Sequence, residues 1–165
     1  MDSDAKKGMI QLVEYDEQLA DKLIDFHLTD EQLQFTSHPW EHIQASPMLA
    51  TNHILIVSGE LPVGYFALQA GDKLGEYSKN RNARLLSAFS IDSRYVGQVF
   101  AKKGLELLAP FIHTTLPQIN EVVLGVNKRN QAAIQLNQFH NDVLRAIKRI
   151  LSIYLLFTIR HFKSD

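Results

Sequence analysis

One turn near the middle of the chain has the residue types of an anion-binding site. An apolar run over residues 84–91 has strand character, the polar turn Asp92–Ser93–Arg94 follows it, and Gly97 precedes a helical pattern. The first backbone N–H groups of a helix have no intrahelical acceptor, and the helix dipole adds positive potential at that end. The order strand, glycine-containing turn and helix start therefore predicts a site for a phosphate or another anion.

Side chains for acid–base or metal chemistry are scattered along the chain. The seven histidines show no metal-ligand pattern; His38 and His42 are four residues apart, but the stretch contains Pro39 and offers no third ligand. We therefore predict no metal site. Four side chains are candidates for a base that accepts a substrate proton, although no motif fixes any of them and ordinary surface roles explain each one: Glu14, Glu60, Glu76 and Tyr77.

The elements that position this turn follow from periodicity. Apolar residues at 100, 104, 107, 108 and 111 predict a helix over 98–114, and an almost continuous apolar run over 119–126 predicts a strand buried on both faces. Strand, helix and strand in this order form a βαβ unit with two parallel strands. Upstream, Gly59 and Glu60 separate two apolar runs, which predicts a hairpin. The remaining predicted elements are hairpin strands over 53–58 and 63–69, a strand over 9–13, a helix after Asp16, a short helix over 30–35, an irregular region over 36–48, a loop over 71–83 and a helix that opens at Asn127 or Asn130.

Composition indicates one globular domain over residues 1–165. The chain is 45% hydrophobic and 21% charged, with a formal net charge of −1, which gives no electrostatic basis for binding nucleic acid. The absence of cysteine excludes disulfides, thiolate zinc sites and a cysteine nucleophile. The N-terminus lacks the apolar stretch of a signal peptide, and the longest apolar run is far shorter than the ~20 residues that span a bilayer. We expect a cytoplasmic protein that binds no membrane.

Three blocks of the sequence resemble the GNAT superfamily of N-acetyltransferases. The run from Ser87 to Gly104 is similar to that family's coenzyme A motif, Gln/Arg-x-x-Gly-x-Gly/Ala: Arg94 and Gly97 match, and Val99 stands where the family has Gly or Ala. Residues 62–66 resemble the family's second and third strands, and residues 121–136 resemble its next strand and the start of its next helix. The resemblance covers about residues 9–137 and implies a mixed α/β (α+β) fold with a largely antiparallel central sheet flanked by helices.

The resemblance also implies a cosubstrate, acetyl-coenzyme A, and a site for it. The turn and the helix start would hold the pyrophosphate through backbone N–H groups. The backbone of the strand before the turn would hold the pantetheine arm and polarise the thioester carbonyl. The implied coenzyme contacts are Phe89, Ser90, Ile91, Arg94, Val96, Gly97, Gln98, Val99, Phe100, Ala101 and Asn130.

After residue 136 the sequence departs from the family. Asn137 occupies the position of a Tyr that often protonates the leaving thiolate, and asparagine has no titratable proton. Tyr95, beside the coenzyme turn, is a candidate substitute, although a packing role is the favoured interpretation. Apolar residues at helical spacing predict one long helix from Asn130 to about Leu151, and the divergent segment 138–165 is expected to be largely helical; the alternative is a strand over 153–162. Such a helix would leave an apolar stripe that a second copy of the chain, in a homodimer, would cover.

These features favour an acetyl-coenzyme A-dependent N-acetyltransferase that transfers the acetyl group directly to an amine. The near-neutral charge favours a small-molecule amine as the acceptor. Because the usual Tyr is replaced, the alternative is a coenzyme A-binding or structural domain of the same fold with impaired catalysis.

Overall fold

A six-stranded sheet in the order β1–β2–β3–β4–β5–β6 organises the protein. The structure is a computed structural model that describes residues 9–34, 36–46, 50–75, 78–97, 99–127 and 154–160, with backbone alone at 72–73, 124–127 and 154–160. The strands are β1 (Ile10–Glu14), β2 (Thr51–Ser58), β3 (Leu61–Gln69), β4 (Ala83–Ile91), β5 (Glu121–Asn127) and β6 (Tyr154–Arg160). The helices are α1 (Ala20–Ile24), α2 (Asp30–Leu33), α3 (Pro39–Ala45), α4 (Asp72–Gly75) and α5 (Phe100–Thr115), with 3₁₀ turns at Glu17–Leu19 and Ser93–Tyr95.

Strand directions confirm the predicted mixed sheet. β1 to β4 pair antiparallel, whereas β4 and β5, joined through α5, pair parallel as the βαβ unit requires. β6 pairs parallel with β5. Within the divergent C-terminal segment, residues 154–160 therefore form a strand, as the alternative prediction had it, and not a helix. The helix predicted from Asn130 to about Leu151 concerns residues outside those that the structure describes.

The helices before β2 follow from local capping. Asp16 accepts a hydrogen bond from Gln18 N–H and starts the predicted helical segment with a 3₁₀ turn. Thr29 and Gln32 form a reciprocal capping box at the start of α2. The irregular region predicted over 36–48 was wrong for Pro39–Ala45, which form α3, because Pro39 occupies the first turn of that helix, where proline is favourable. Residues 47 and 48 of the predicted region lie outside those that the structure describes.

One further prediction needs correction. The loop predicted over 71–83 contains the short helix α4, Asp72–Gly75. The helix predicted over 98–114 is α5, which contains Pro110 and continues past it to Thr115.

The two larger hydrophobic cores lie on opposite faces of the sheet. On one face, α5 packs against β1 to β4 and forms the first core; Gly104 permits this approach, because a Cβ atom there would lie 2.5 Å from Ile56 Cδ1. On the other face, helices α1 and α3 cover the second core. The second core consists of Leu23, Phe26, Leu28, Ile43, Leu55, Val57, Tyr65 and Ala67.

β4 bends away from its regular course at residue 88. Tyr65 pairs with Ser90 and Ala67 with Ser87, so Phe66 faces two residues of β4 and the strand contains a β-bulge. Ala88 has φ of +55°, a left-handed conformation that is uncommon for alanine. β5 pairs with β4 only from Ala83 to Leu86. The two parallel strands therefore diverge where the bulge begins.

Candidate active site

The C-terminal half of β4 has a free backbone edge. Neighbouring residues in a strand direct their N–H and C=O groups to opposite edges. Asp92 N–H donates to the Val63 carbonyl at 2.9 Å, on the side of β3, so the backbone groups of Ser90 also face β3. The backbone groups of Phe89 and Ile91 consequently face the side from which β5 has diverged. An extended ligand can add to such an edge as a further strand.

Gln32 occupies one position of this edge. Its side chain Nε2 donates to the Ile91 carbonyl at 2.9 Å, and its Oε1 accepts from Thr29 N–H in the capping box. The Ile91 carbonyl therefore has a protein partner. Among the described contacts this leaves the N–H of Ile91 and both backbone groups of Phe89 for a ligand.

The N-terminus of α5 lies after this edge in the chain and has the features of an anion site. Its N-cap residue, Val99, makes no side-chain capping hydrogen bond, and the first turn contains no acidic residue. Lysines occupy positions 102 and 103 instead, where positive charge opposes the helix dipole unless an anion is bound. Val96 and Val99 are 57% and 59% exposed, so this helix end is open to solvent. Unsatisfied N–H groups here can bind a phosphate.

Gly97 shapes the turn into α5. Its φ is +83°, which a residue with a Cβ adopts only under strain, and nothing lies within 4 Å of the position where a Cβ would be. The glycine is therefore required by backbone conformation and not by crowding. It also leaves the backbone accessible to a ligand.

Arg94 has a structural task at this turn. Its guanidinium forms an ion pair with Asp92, with Nη2 2.6 Å from Oδ2, and Nη2 also donates to the Asp25 carbonyl at 2.7 Å. Burial alone would raise the pKa of Asp92, but hydrogen bonds from the side chain and backbone of Arg94 and from His27 N–H lower it below its usual value. The hydrogen bond between the Arg94 side chain and Asp92 also raises the pKa of Arg94. The Arg94 guanidinium is therefore already hydrogen bonded to protein groups, which leaves it less available to a phosphate of the coenzyme.

Further hydrogen bonds join this turn to the loop between α1 and α2. Ser93 N–H donates to the His27 carbonyl at 2.8 Å, and His27 N–H donates to Asp92 Oδ2 at 3.1 Å. His27 Nδ1 and Ser93 Oγ are also hydrogen bonded. Together with Gln32, these contacts fix the helices of the second-core face to the end of β4.

The remaining candidate residues are dispersed. Tyr95 packs edge-on against Phe100 at a centroid distance of 5.9 Å, with the Arg94 guanidinium over its ring. Glu14 accepts a hydrogen bond from Asn52, and Glu60 lies in the hairpin turn beside Lys22. Phe100 is buried in the first core and Ala101 packs against it. Four sequence-predicted residues and one further base candidate lie outside the described residues: Glu76, Gln98, Asn130, Asn137 and Tyr77.

Sequence analysis missed a cluster of polar aromatic side chains in the second core. Tyr65 Oη lies 2.7 Å from His53 Nδ1 and 2.8 Å from His42 Nδ1. The three residues come from β3, β2 and α3, so no spacing along the chain marks them as a group. Only a weak indication of this cluster was present in the sequence, namely that a histidine and a tyrosine occur among the apolar residues of β2 and β3.

The described residues contain neither a metal-ligand cluster nor a membrane-spanning helix. No group of three or more metal-ligating side chains occurs in the part of the chain that the structure describes. Over the same residues, no helix has the length and apolar character needed to cross a bilayer.

Comparisons with known proteins identify acetyltransferases. The chain is 33% identical over 143 residues to YbbJ of Bacillus subtilis, an uncharacterised N-acetyltransferase, and the match covers 86% of this chain and 89% of YbbJ. Its fold is similar to AAC(6′)-Ib in complex with paromomycin and acetyl-CoA, with a TM-score of 0.61 and 13% identity over 78% of this chain and 80% of that one. It is also similar to a GNAT-family acetyltransferase from Streptococcus pneumoniae, with a TM-score of 0.51 and 22% identity over 80% and 83% of the two chains. No protein-family model matches the chain.

The identity to YbbJ extends over most of both proteins, and the fold is similar to that of a solved GNAT-family acetyltransferase. The chain belongs to the GNAT superfamily of N-acetyltransferases.

Proposed function

We propose that this protein transfers an acetyl group from acetyl-coenzyme A to a primary amine. The observation that carries the proposal is the edge of β4 at Phe89 and Ile91 from which β5 has diverged, where Gln32 binds only the Ile91 carbonyl, leading into an N-terminus of α5 without a side-chain cap. Coenzyme A combines an amide-containing arm, which can hydrogen bond along a strand edge, with a pyrophosphate, which suits a helix N-terminus. One ligand therefore fits both features.

The proposed binding mode divides the site into two parts. Phe89 and Ile91 would hold the pantetheine arm, and the N–H groups of the β4 edge would polarise the thioester carbonyl. Residues 96–101 would hold the pyrophosphate, with Lys102 and Lys103 adding positive charge in the first turn of α5. Arg94 would act indirectly, by fixing the turn through Asp92.

The proposed reaction is direct transfer. The amine nitrogen attacks the thioester carbonyl carbon, the carbon–sulfur bond breaks, and no covalent enzyme intermediate forms. The near-neutral net charge supports a small-molecule acceptor. The paromomycin complex of the structural relative AAC(6′)-Ib supports including an aminoglycoside among the acceptors to be tested.

Two measurements on the full chain test this function. Acetyl-CoA is expected to raise the melting temperature, and free thiol is expected to appear when paromomycin, spermidine or a peptide with a free N-terminus is added. A rise in melting temperature without thiol release from any amine of a broad panel would favour the coenzyme-binding domain with impaired catalysis. No effect of acetyl-CoA on the melting temperature would contradict both.

A further inference from the structure

β4 is partly open to solvent at its bulge. Residues 87–89 are half-buried, whereas Leu86 before them and Ser90 after them are buried. Leu86 is also the last residue of β4 that pairs with β5. The stretch that β5 leaves uncovered therefore begins at the bulge, around the left-handed Ala88. A ligand can reach both the backbone and the side chains of β4 here.

The proposed direction of the coenzyme brings its thioester to this bulge. The pyrophosphate would lie at residues 96–101, beyond the C-terminal end of β4, so the arm would run back along the strand from Ile91 toward Phe89. The two amide groups of the arm lie between the pyrophosphate and the sulfur atom. The thioester carbonyl would therefore accept a hydrogen bond from the N–H of Phe89, next to Ala88.

The second-core face of the sheet is the open side for an incoming amine. A carbonyl group that accepts a hydrogen bond from a strand edge lies near the plane of the sheet, so a nucleophile approaches its carbon from one face or the other. On the first-core face, the Phe89 ring stacks on Phe66 at a centroid distance of 5.9 Å, and both pack in the first core with residues of α5. On the second-core face, Ser87 and Ala88 are half-buried. We expect the amine to approach over these two residues.

Ser87 offers a hydrogen-bond acceptor on this face. It pairs with Ala67 of the second core, so its side chain lies on the same side of the sheet. Its Oγ donates to Oε1 of the half-buried Gln69 at 2.5 Å. A serine hydroxyl has one hydrogen and two lone pairs, so the lone pairs of Ser87 Oγ can accept an N–H group. The other serine of β4 on this face, Ser90, is 5% exposed with its Oγ buried, which makes Ser87 the serine that a ligand can reach.

The bulge keeps Ser87 close to the level of the thioester. Three residues of β4, from Ser87 to Ser90, span only two residues of β3. The distance along the strand from Ser87 to Phe89 is therefore about one regular rise, ~3.4 Å. A ligand added to the edge lies one strand spacing, ~4.8 Å, to the side, which places the thioester about 6 Å from the Cα atom of Ser87. An amine above the thioester on the second-core face is then within hydrogen-bond reach of Ser87 Oγ.

We propose that the Ser87 hydroxyl, oriented by Gln69, binds the acceptor amine for its attack on the thioester. This inference rests on the proposed function. One N–H of the neutral amine donates to Ser87 Oγ, and the nitrogen lone pair is directed at the carbonyl carbon. Ser87 accepts no proton and forms no bond to the acetyl group. It is a positioning residue for the acceptor and has no contact with the pyrophosphate end of the coenzyme.

A matched pair of variants tests the hydroxyl alone. Threonine and valine have nearly the same shape and both favour strands, so Ser87→Thr and Ser87→Val should affect the folding of β4 alike. With the best amine from the panel, Ser87→Val is expected to have a KM for the amine about tenfold higher than Ser87→Thr, as for the loss of one hydrogen bond. The KM for acetyl-CoA and the coenzyme-induced rise in melting temperature should be the same in both variants.

Ser78→Ala is the control for Ser87→Ala. Ser78 is also half-buried, and its Oγ donates to Glu121 Oε1 at 2.5 Å, so the two variants lose comparable hydrogen bonds. Glu121 pairs with Ala83, which precedes Ser87 by about four strand rises, or ~13 Å. Ser87→Ala should therefore raise the KM for the amine about tenfold, and Ser78→Ala should keep the wild-type value.

The outcomes separate the two proposals. A wild type that transfers no acetyl group to any amine overturns the proposed function, and this inference with it. An active wild type whose KM for the amine is unchanged in Ser87→Val and Ser87→Ala overturns the role of Ser87 alone. A KM that rises for acetyl-CoA and not for the amine, or an equal rise for the amine in Ser78→Ala, also overturns that role.

Discussion

Asp92 and Arg94 form an ion pair in which the carboxylate is buried and the guanidinium is half-exposed: Arg94 Nη2 lies 2.6 Å from Asp92 Oδ2, and the two side chains are 51% and 0% exposed, respectively. Asp92 Oδ1 also accepts the backbone N–H of Arg94 at 3.0 Å. The most conspicuous cation of the coenzyme motif therefore holds the turn in shape. In the proposed binding mode, a ligand anion would be held by backbone N–H groups, whose positions depend on that shape.

Replacing Asp92 with Asn should destabilise the protein by about 2 kcal/mol, because it weakens charge-assisted hydrogen bonds to a buried group. Urea unfolding at pH 7 measures the change. Glu60→Gln is the control: Glu60 is 81% exposed beside Lys22, so its free energy of unfolding should change by no more than about 0.5 kcal/mol. Equal losses in the two variants would contradict the structural role of Asp92.

His53 should make stability depend on pH between neutrality and mild acid. In the unfolded chain its pKa is about 6.5, whereas in the folded protein burial lowers it to about 4. As pH falls, the unfolded chain binds this proton first. The stability contribution of neutral His53 is therefore complete above pH ~6.5 and is lost as pH falls to ~4, a loss of about 3 kcal/mol.

Unfolding free energies of wild type and His53→Gln at pH 7.5 and 4.5 check this dependence. The variant should lose less stability over that range. The contribution of Asp92 does not interfere, because its lowered pKa places its loss at a still lower pH. Parallel pH profiles for the two proteins would show that His53 titrates normally.

Gly97→Ala should cost both stability and coenzyme binding. The left-handed φ of +83° is strained for alanine, so about 1 kcal/mol or more should be lost. Gly71→Ala is a close control, since Gly71 has φ of +103° and likewise no atom near a Cβ position, but lies in the turn after β3. Both variants should lose stability, and only Gly97→Ala should weaken the acetyl-CoA-induced rise in melting temperature. An equal effect of both on coenzyme binding would place the pyrophosphate elsewhere.

Val99→Asp should abolish coenzyme binding without lowering the stability of the free protein. Val99 is 59% exposed, and a negative charge at the N-terminus of α5 is favourable to the helix dipole, so the free protein should be as stable as the wild type or slightly more so. The same charge repels a pyrophosphate, so the coenzyme-induced rise in melting temperature should disappear. Val99→Asn, which adds polarity without charge, should retain most of it. Retention in the Asp variant would contradict an anion site at this helix end.

The parts of the fold that depend on patterns within neighbouring segments of the chain were predictable from the sequence. The hairpin of β2 and β3 follows from two apolar runs around Gly59, and the βαβ unit follows from a strand, an amphipathic helix and a buried strand in succession. The glycine turn before α5 was predicted for the same reason, because Gly97 and the helix pattern are adjacent in the chain.

The features that sequence analysis missed depend on contacts between distant residues or on context. The region that contains Pro39 was predicted to be irregular, because the place of Pro39 in the first turn of α3 depends on where the helix begins. The seven histidines were searched for metal spacing along the chain, whereas His42 and His53 meet only through Tyr65 on a third element. Arg94 was assigned to the ligand because its motif gives no sign that Asp92, two residues before it, is buried.

The bulge in β4 corresponds to the insertion of one residue into a regular strand. Before it, Leu86 faces the first core and Ser87 the opposite face; after it, Phe89 and Ile91 face the first core and Ser90 the opposite face. If Ala88 is left out, the sequence is an unbroken alternating strand, so Ala88 amounts to one residue added to a regular strand. A protein lacking Ala88 should still fold, with a flatter sheet and two parallel strands that no longer have cause to separate. The capacity to bind a coenzyme between them would thus depend on a single added residue whose side chain is one methyl group.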